Sequence, residues 1–305
     1  RQVVSKSASA AEGRGRASAT GVRFGGRFPD IIAVYYYFYM RLLLNSYRRL
    51  TMLQERILEA ARPYLEGRTV TDLVLGIALI GAELDERNVG VSYMLRDSLP
   101  SGCGSFGFAR QAIGKDAYEV ASLLIEGKDD AQRGLAAAVL SAACHAAPLE
   151  FCDDGEETPF GVNIQEGDKL ALIGYMAPVA KQFAGKVADT VVFDRGRELA
   201  GHDDVTPCAQ QKEILPTCDI VVVSGTSVIN RTVEDLLAMC PNAREFVLTG
   251  TSTPMFPAAY AGSGVTSLAG TTWKQDAKGE IFRTISLGGG IMASRALRSN
   301  VCVRV

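Results

Sequence analysis

Five short, nearly unbroken apolar runs govern what residues 165–305 can become: KLALIG, TVVFD, DIVVVSG, EFVLTG and GVTSLAG. Such a run leaves no face for water, so each predicts a strand buried on both sides. Helical or mixed segments lie between the first four. Strands alternating with helices give a parallel sheet covered on both faces, an α/β fold. Near the end, IFRTISLGGG reads as one more strand.

The preceding stretch is organised differently. In TMLQERILEAARPYL the apolar residues Leu53, Ile57, Leu58, Ala61 and Leu65 recur at helical spacing, so a helix begins near Met52. VTDLVLGIALIGAEL and NVGVSYML are β-rich runs on either side of the polar turn DERN, which predicts a hairpin. DAYEVASLLIEG is a helix stopped by Gly127, and DDAQRGLAAAVLSAACHAA is a second, with acids at its start and Pro148 beyond its end. Residues 52–147 are therefore expected to form a small α+β domain, followed by a polar, proline-bearing linker at 148–164 and the parallel-sheet domain at 165–305.

Residues 1–51 read as a disordered or non-native extension. The chain begins with Arg1, and SKSASAAEGRGRASATG lacks apolar periodicity. The apolar run IIAVYYYFYM ends after ten residues at Arg41, well short of the roughly 20 that a membrane-spanning helix needs. No membrane partner is expected.

At 305 residues, 47% hydrophobic and 22% charged, the chain has the make-up of a soluble globular protein with room for two domains. Residues 1–50 carry nine basic and two acidic side chains, which leaves 23 basic and 32 acidic for the rest. An acidic body argues against a nucleic-acid groove. The seven cysteines (Cys103, Cys144, Cys152, Cys208, Cys218, Cys240 and Cys302) include no C-x-x-C pair. Their odd number and spacing fit neither a zinc ribbon nor a disulfide framework. Most read as small buried hydrophobes in a reducing, cytoplasmic compartment.

Ligands of open α/β sheets bind beyond the carboxyl ends of the strands. Those ends read GYMAP, DRGRE, SGTSVINRT, TGTSTPMFP and AGTTWKQ, mostly glycine with hydroxyl or aromatic residues. Pro178 and Pro254 suit first helical turns. Thr226, Ser227, Ser252 and Thr253 suit N-caps. Several helix N-termini are thus expected to face one crevice with free N–H groups, a setting for an anion or carboxylate. The candidate ligand-binding residues are Gly174, Tyr175, Gly225, Thr226, Ser227, Gly250, Thr251, Ser252 and Thr253. Lys274, after Trp273, is positioned in the sequence to neutralise an anion.

A dinucleotide is the rival ligand. Asp194 follows Gly174 by twenty residues, where a ribose-binding acid would stand. Against it, G-x-G-x-x-G is missing, and Tyr175 and Met176 put bulk where backbone must approach a pyrophosphate. A nucleotide- or S-adenosylmethionine-dependent enzyme is the alternative reading. G-x-S-x-G and the Walker loop are absent, and no reaction can be assigned.

Metal ligands are sparse. Cys144 and His145 are adjacent on a helix and diverge by about 100°, so Cys144 is expected to pack in the core. His202, Asp203, Asp204 and Cys208 form the densest ligand-type cluster. Cys103, flanked by two glycines in RDSLPSGCGSFG, is the candidate metal-binding thiolate, with a nucleophile as the other role open to it.

The segments LIGYMAP, ILPTCDIVVVSGTSVINRTVEDLL, NAREFVLTGTSTPMFP and LAGTTW resemble the putative heavy-metal chelation domain family. In that family a Rossmann-like domain follows a smaller one folded like the N-terminal domain of enolase, to which residues 52–147 are similar. The resemblance implies a site in the cleft between the two domains. There a small anionic ligand, transition metal or metal chelate would bind, in cofactor or metal metabolism. It establishes no reaction, and leaves a homo-oligomer open.

Overall fold

The computed structural model describes residues 52–99, 106–152, 155 and 158–305. Cys103 lies outside them, as does the 1–51 extension.

Helix α1 (Leu53–Ala61) opens the described chain and buries Leu53, Ile57, Leu58 and Ala61, the face given by the helical spacing. An antiparallel sheet follows, β1 (Val70–Leu75), β2 (Leu79–Leu84) and β3 (Asn88–Tyr93), in that order across the sheet. Three strands stand where two were expected, because the first β-rich run turns back on itself at Gly76. A Cβ at Gly76 would lie 2.4 Å from the Ile285 carbonyl oxygen, so close packing, which a sequence pattern does not display, sets the turn.

Helices α2 (Gly107–Ala112), α3 (Ala117–Ala121) and α4 (Leu123–Glu126) lead to α5 (Asp130–Ala143). Asp129 caps α5 by accepting from the Gln132 N–H, and Gly127 closes α4. α5 lies on β2 and β3. The contact is close because its buried face is mostly alanine, and because Gly90 of β3 would put a Cβ 2.0 Å from the Ala142 nitrogen.

The second sheet contains β4 (Lys169–Ile173), β5 (Asp189–Phe193), β6 (Ile220–Ser224), β7 (Glu245–Thr249), β8 (Ser267–Trp273) and β9 (Arg298–Arg304). Its order is β5-β4-β6-β7-β8-β9; all neighbours pair in parallel except β8 and β9. The helices here are α6 (Ala177–Phe183), α7 (Arg195–Leu199), α8 (Gln211–Ile214), α9 (Thr226–Ile229), α10 (Val233–Met239), α11 (Pro257–Tyr260) and α12 (Lys278–Ser286). The molecule is thus mixed α/β, with a largely parallel sheet and a separate antiparallel one.

Two expectations are overturned. IFRTISLGGG is mostly helix α12, whose Ile281 and Ile285 are buried one turn apart, and the remaining strand is β9. The cysteines are not all free thiols: Cys152 and Cys302 are joined in a disulfide with Cα atoms 5.5 Å apart, tying the segment after α5 to β9. Cys144 packs in the core as expected.

One hydrophobic core runs from α1 through α5 to β6, β7 and β8, with Ile57, Leu135, Val221 and Leu268 in the same cluster. Among the described residues no helix is long and apolar enough to cross a membrane.

Candidate functional site

Because β4, β6, β7 and β8 run in parallel, Ile173, Ser224, Thr249 and Trp273 end on one edge of the sheet. The chain leaves β4 for β5 on one side, while β6 lies on the other, so the connections diverge between β4 and β6, as at a ligand-binding switch point.

Gly174 ends β4 with φ +101°, and a Cβ there would stand 3.1 Å from that of Ser224. Both the left-handed backbone and the close approach favour glycine. Tyr175 is 43% exposed, its N–H donates to Asp194 Oδ2 at 2.7 Å, and its ring lies 4.0 Å from the Arg197 guanidinium carbon. The other oxygen of Asp194 caps α7 by accepting from the Arg197 N–H at 2.9 Å.

After β6, the Gly225 N–H donates to the Thr249 carbonyl, and the Ser224 and Thr226 hydroxyls lie 2.9 Å apart. A Cβ on Gly225 would come within 2.5 Å of Thr253 Oγ1 and 2.6 Å of its nitrogen, so the β6 and β7 loops touch here. After β7, Gly250 adopts φ +104° and its carbonyl accepts from the Thr253 N–H, closing a tight turn. Thr251 Oγ1 donates to the Val91 carbonyl at 3.3 Å, and Ser252 Oγ accepts from the Tyr93 N–H at 2.8 Å. This loop is therefore strapped to β3.

Two hydroxyls remain. Ser227 Oγ and Thr253 Oγ1 are buried with no hydrogen-bond partner among the described residues, in side chains 4% and 3% exposed. Ser224, which joins this group, escapes a reading of the loop alone. Its signal is its place as the last residue of an apolar run.

The capping expectation needs correction. Thr226 and Ser227 lie inside α9 behind Gly225, and no side chain caps that helix. Ser252 and Thr253 precede no helix, since α11 starts only at Pro257. Pro254 is outside any helix, and its carbonyl accepts from the Tyr260 hydroxyl. The 251–252 hydroxyls serve the β3 backbone instead, so the edge has fewer free helix N-termini than the sequence suggests. Lys274 is exposed just past β8.

The His202 cluster is organised around an arginine. Arg197 pairs with Asp204 at 2.6 Å and approaches His202 Nδ1 at 3.3 Å. The hydrogen bond from Arg197 holds the Asp204 carboxyl below its ordinary range. Burial, then the Glu198 carboxylate, pushes the Cys208 thiol up to about 11, far from thiolate at neutral pH. Burial likewise lifts Cys144 and Cys240 to about 12. Among the described residues no three His, Cys, Asp or Glu side chains converge to hold a metal ion. Among the described residues the side chains do not fit a bare ion.

Two family models match the chain, both described as putative heavy-metal chelation, one over residues 158–303 and the other over residues 58–144. An uncharacterized protein of Methanocaldococcus jannaschii is 32% identical over 111 residues, which span 36% of this chain and 42% of that protein. The fold is similar to the crystal structure of a DUF364-family protein of unknown function from Pyrococcus horikoshii, with TM-score 0.69, 21% identity and coverage of 83% of this chain and 100% of the other. A second such structure, from Desulfitobacterium hafniense, gives TM-score 0.67, 18% identity and coverage of 83% and 98%. At these identities the structural likeness speaks for the fold alone, and the two family matches carry the assignment: the chain belongs to the putative heavy-metal chelation family.

Proposed function

We propose that the carboxyl edge of the parallel sheet, where its loops meet the β3 side of the molecule, binds a small anionic or metal-chelating molecule. The parallel module is read as Rossmann-like and residues 52–147 as akin to the N-terminal domain of enolase, with the ligand between them. The observation that carries this reading is the Gly225–Thr253 contact, flanked by the unpartnered hydroxyls of Ser227 and Thr253. Each buried hydroxyl left without a partner costs about 1–3 kcal/mol, a cost that a ligand oxygen can relieve. The family description points to a chelate rather than an unrelated small molecule.

The rival, a nucleotide- or S-adenosylmethionine-dependent enzyme, is disfavoured by Asp194. Both its oxygens already accept backbone N–H groups, so a ribose hydroxyl would compete with a helix cap.

The test is mass and elemental analysis of whatever copurifies with the native protein. It is followed by melting in the presence of Co²⁺ or Ni²⁺ alone, the citrate complexes of those metals, NAD or S-adenosylmethionine. A ligand that prefers the native state raises Tm. A rise with the metal citrates that Ser227→Ala and Thr253→Val diminish supports the reading. A response confined to NAD or S-adenosylmethionine, or one that both variants retain in full, overturns it.

A further inference from the structure

β9 runs antiparallel to β8, and Arg298 stands directly opposite Trp273. Opposed residues of an antiparallel pair share a face of the sheet. That face meets the first sheet: Trp273 is 3% exposed and clusters with Leu79, Val89 and Val91. Its indole Nε1 is buried without a hydrogen-bond partner among the described residues, and so is Nε of Arg298. Unpaired buried donors are rare, and two on opposed residues require an explanation.

Among the described residues no carboxylate pairs with Arg298, and a second arginine stands nearby. Arg298 is half-buried and donates through Nη1 to the neutral Asn300 side chain. Tyr93 and Arg295 are the titratable side chains that bear on it. Burial raises the Tyr93 phenol, so it remains a neutral hydroxyl. Arg295 is exposed in the turn leading into β9.

We propose that Arg298, Trp273 and Tyr93, with Arg295 at the rim, form a seat for a carboxylate or phosphate oxyanion. The guanidinium fork suits the planar pair of oxygens on such a group. The indole N–H and the phenol add neutral donors of the same polarity. One bound oxyanion satisfies the buried donors and balances the two arginines. The seat is built on β8, β9 and β3 and adjoins the β7 loop, whose Ser252 accepts from the Tyr93 N–H, but it uses neither the Gly225–Thr253 contact nor its hydroxyls and does not depend on that reading.

The test titrates the full chain with sodium phosphate and, separately, sodium citrate, against sodium chloride at matched ionic strength, followed by Tm and calorimetry. Saturable stabilisation by at least one of the two is expected. Phosphate alone would identify a phosphoryl ligand, citrate alone a carboxylate, and both a general oxyanion seat. Arg298→Gln should abolish the response. Trp273→Phe, which keeps the ring in the core, should weaken binding about tenfold, and Arg295→Gln should weaken it less. Arg298→Gln should keep the metal-citrate response that Ser227→Ala and Thr253→Val diminish, which separates this seat from the crevice. If Arg298→Gln does not fold, Arg298→Lys replaces the fork with a point charge and should still cost about tenfold in affinity. No stabilisation beyond chloride by either anion, or wild-type affinity in Trp273→Phe together with the arginine variant, overturns the proposal.

Discussion

Thr253 shows at single-residue scale how a functional group differs from a structural one. Its hydroxyl is buried and has no partner among the described residues, whereas those of Thr251 and Ser252 hydrogen-bond to β3. Thr253→Val keeps the shape and removes the orphan, so the free protein should gain about 1 kcal/mol in urea unfolding. A loss of stability would mean that the hydroxyl has a partner in solution. His145 gives a pH signature. Burial lowers its pKa, and its ring meets the Gln275 side-chain amide at 2.9 Å. The unfolded chain then binds the proton more readily. Stability is therefore complete above the ordinary imidazole value of 6.5 and is lost as pH falls from there toward the lowered one. The slope is at most about 1.4 kcal/mol per pH unit. Tm measured between pH 7.5 and 5.5 should fall more steeply for the wild type than for His145→Gln.

At the scale of elements, α12 is held to the first sheet by more than its apolar face. Lys278 Nζ lies 2.8 Å from both Asp72 of β1 and Glu83 of β2, and Glu83 is nearly buried. Lys278→Met would leave the Glu83 carboxylate without its cation. The loss should exceed the ~0.5 kcal/mol of a surface pair and reach up to about 3 kcal/mol. Lys278→Met with Glu83→Gln should recover much of it, as a chemical-denaturation double-mutant cycle would show. The same helix marks the limit of what the sequence discloses. β4, β6 and β7 are legible because a strand buried on both faces must be apolar throughout. α12 is not, because Ile, Phe and Thr favour strands and only the Ile281–Ile285 spacing speaks for a helix. β9 escapes notice since Ser299 and Asn300 are exposed at a sheet margin and interrupt its apolar pattern. Of the candidate site, the glycines at the β4, β6 and β7 ends are visible as turn residues. The engagement of Thr251 and Ser252 with β3 is not, since those partners lie some 160 positions away along the chain.

For the whole molecule, the Cys152–Cys302 bridge closes a loop of 150 residues that contains nearly the entire parallel sheet. Restricting so long a segment of the unfolded chain should stabilise the fold by about 2–4 kcal/mol. Melting with and without dithiothreitol should show a clear drop in Tm on reduction. Cys152→Ser paired with Cys302→Ser should match the reduced protein and ignore the reductant. Equal Tm values in both conditions would mean that the bond contributes nothing. A different constraint arises from α5. Its alanines let it rest almost backbone to backbone on β3, and the core they belong to continues into the second sheet. That leaves no slack to absorb an added methyl group: a valine there would lever the helix outward and disturb loops it never touches. Such a frame tolerates variety at its rim and very little along its spine, so the chemistry of a descendant would diversify by exchanging turns while the seam beneath them stayed small.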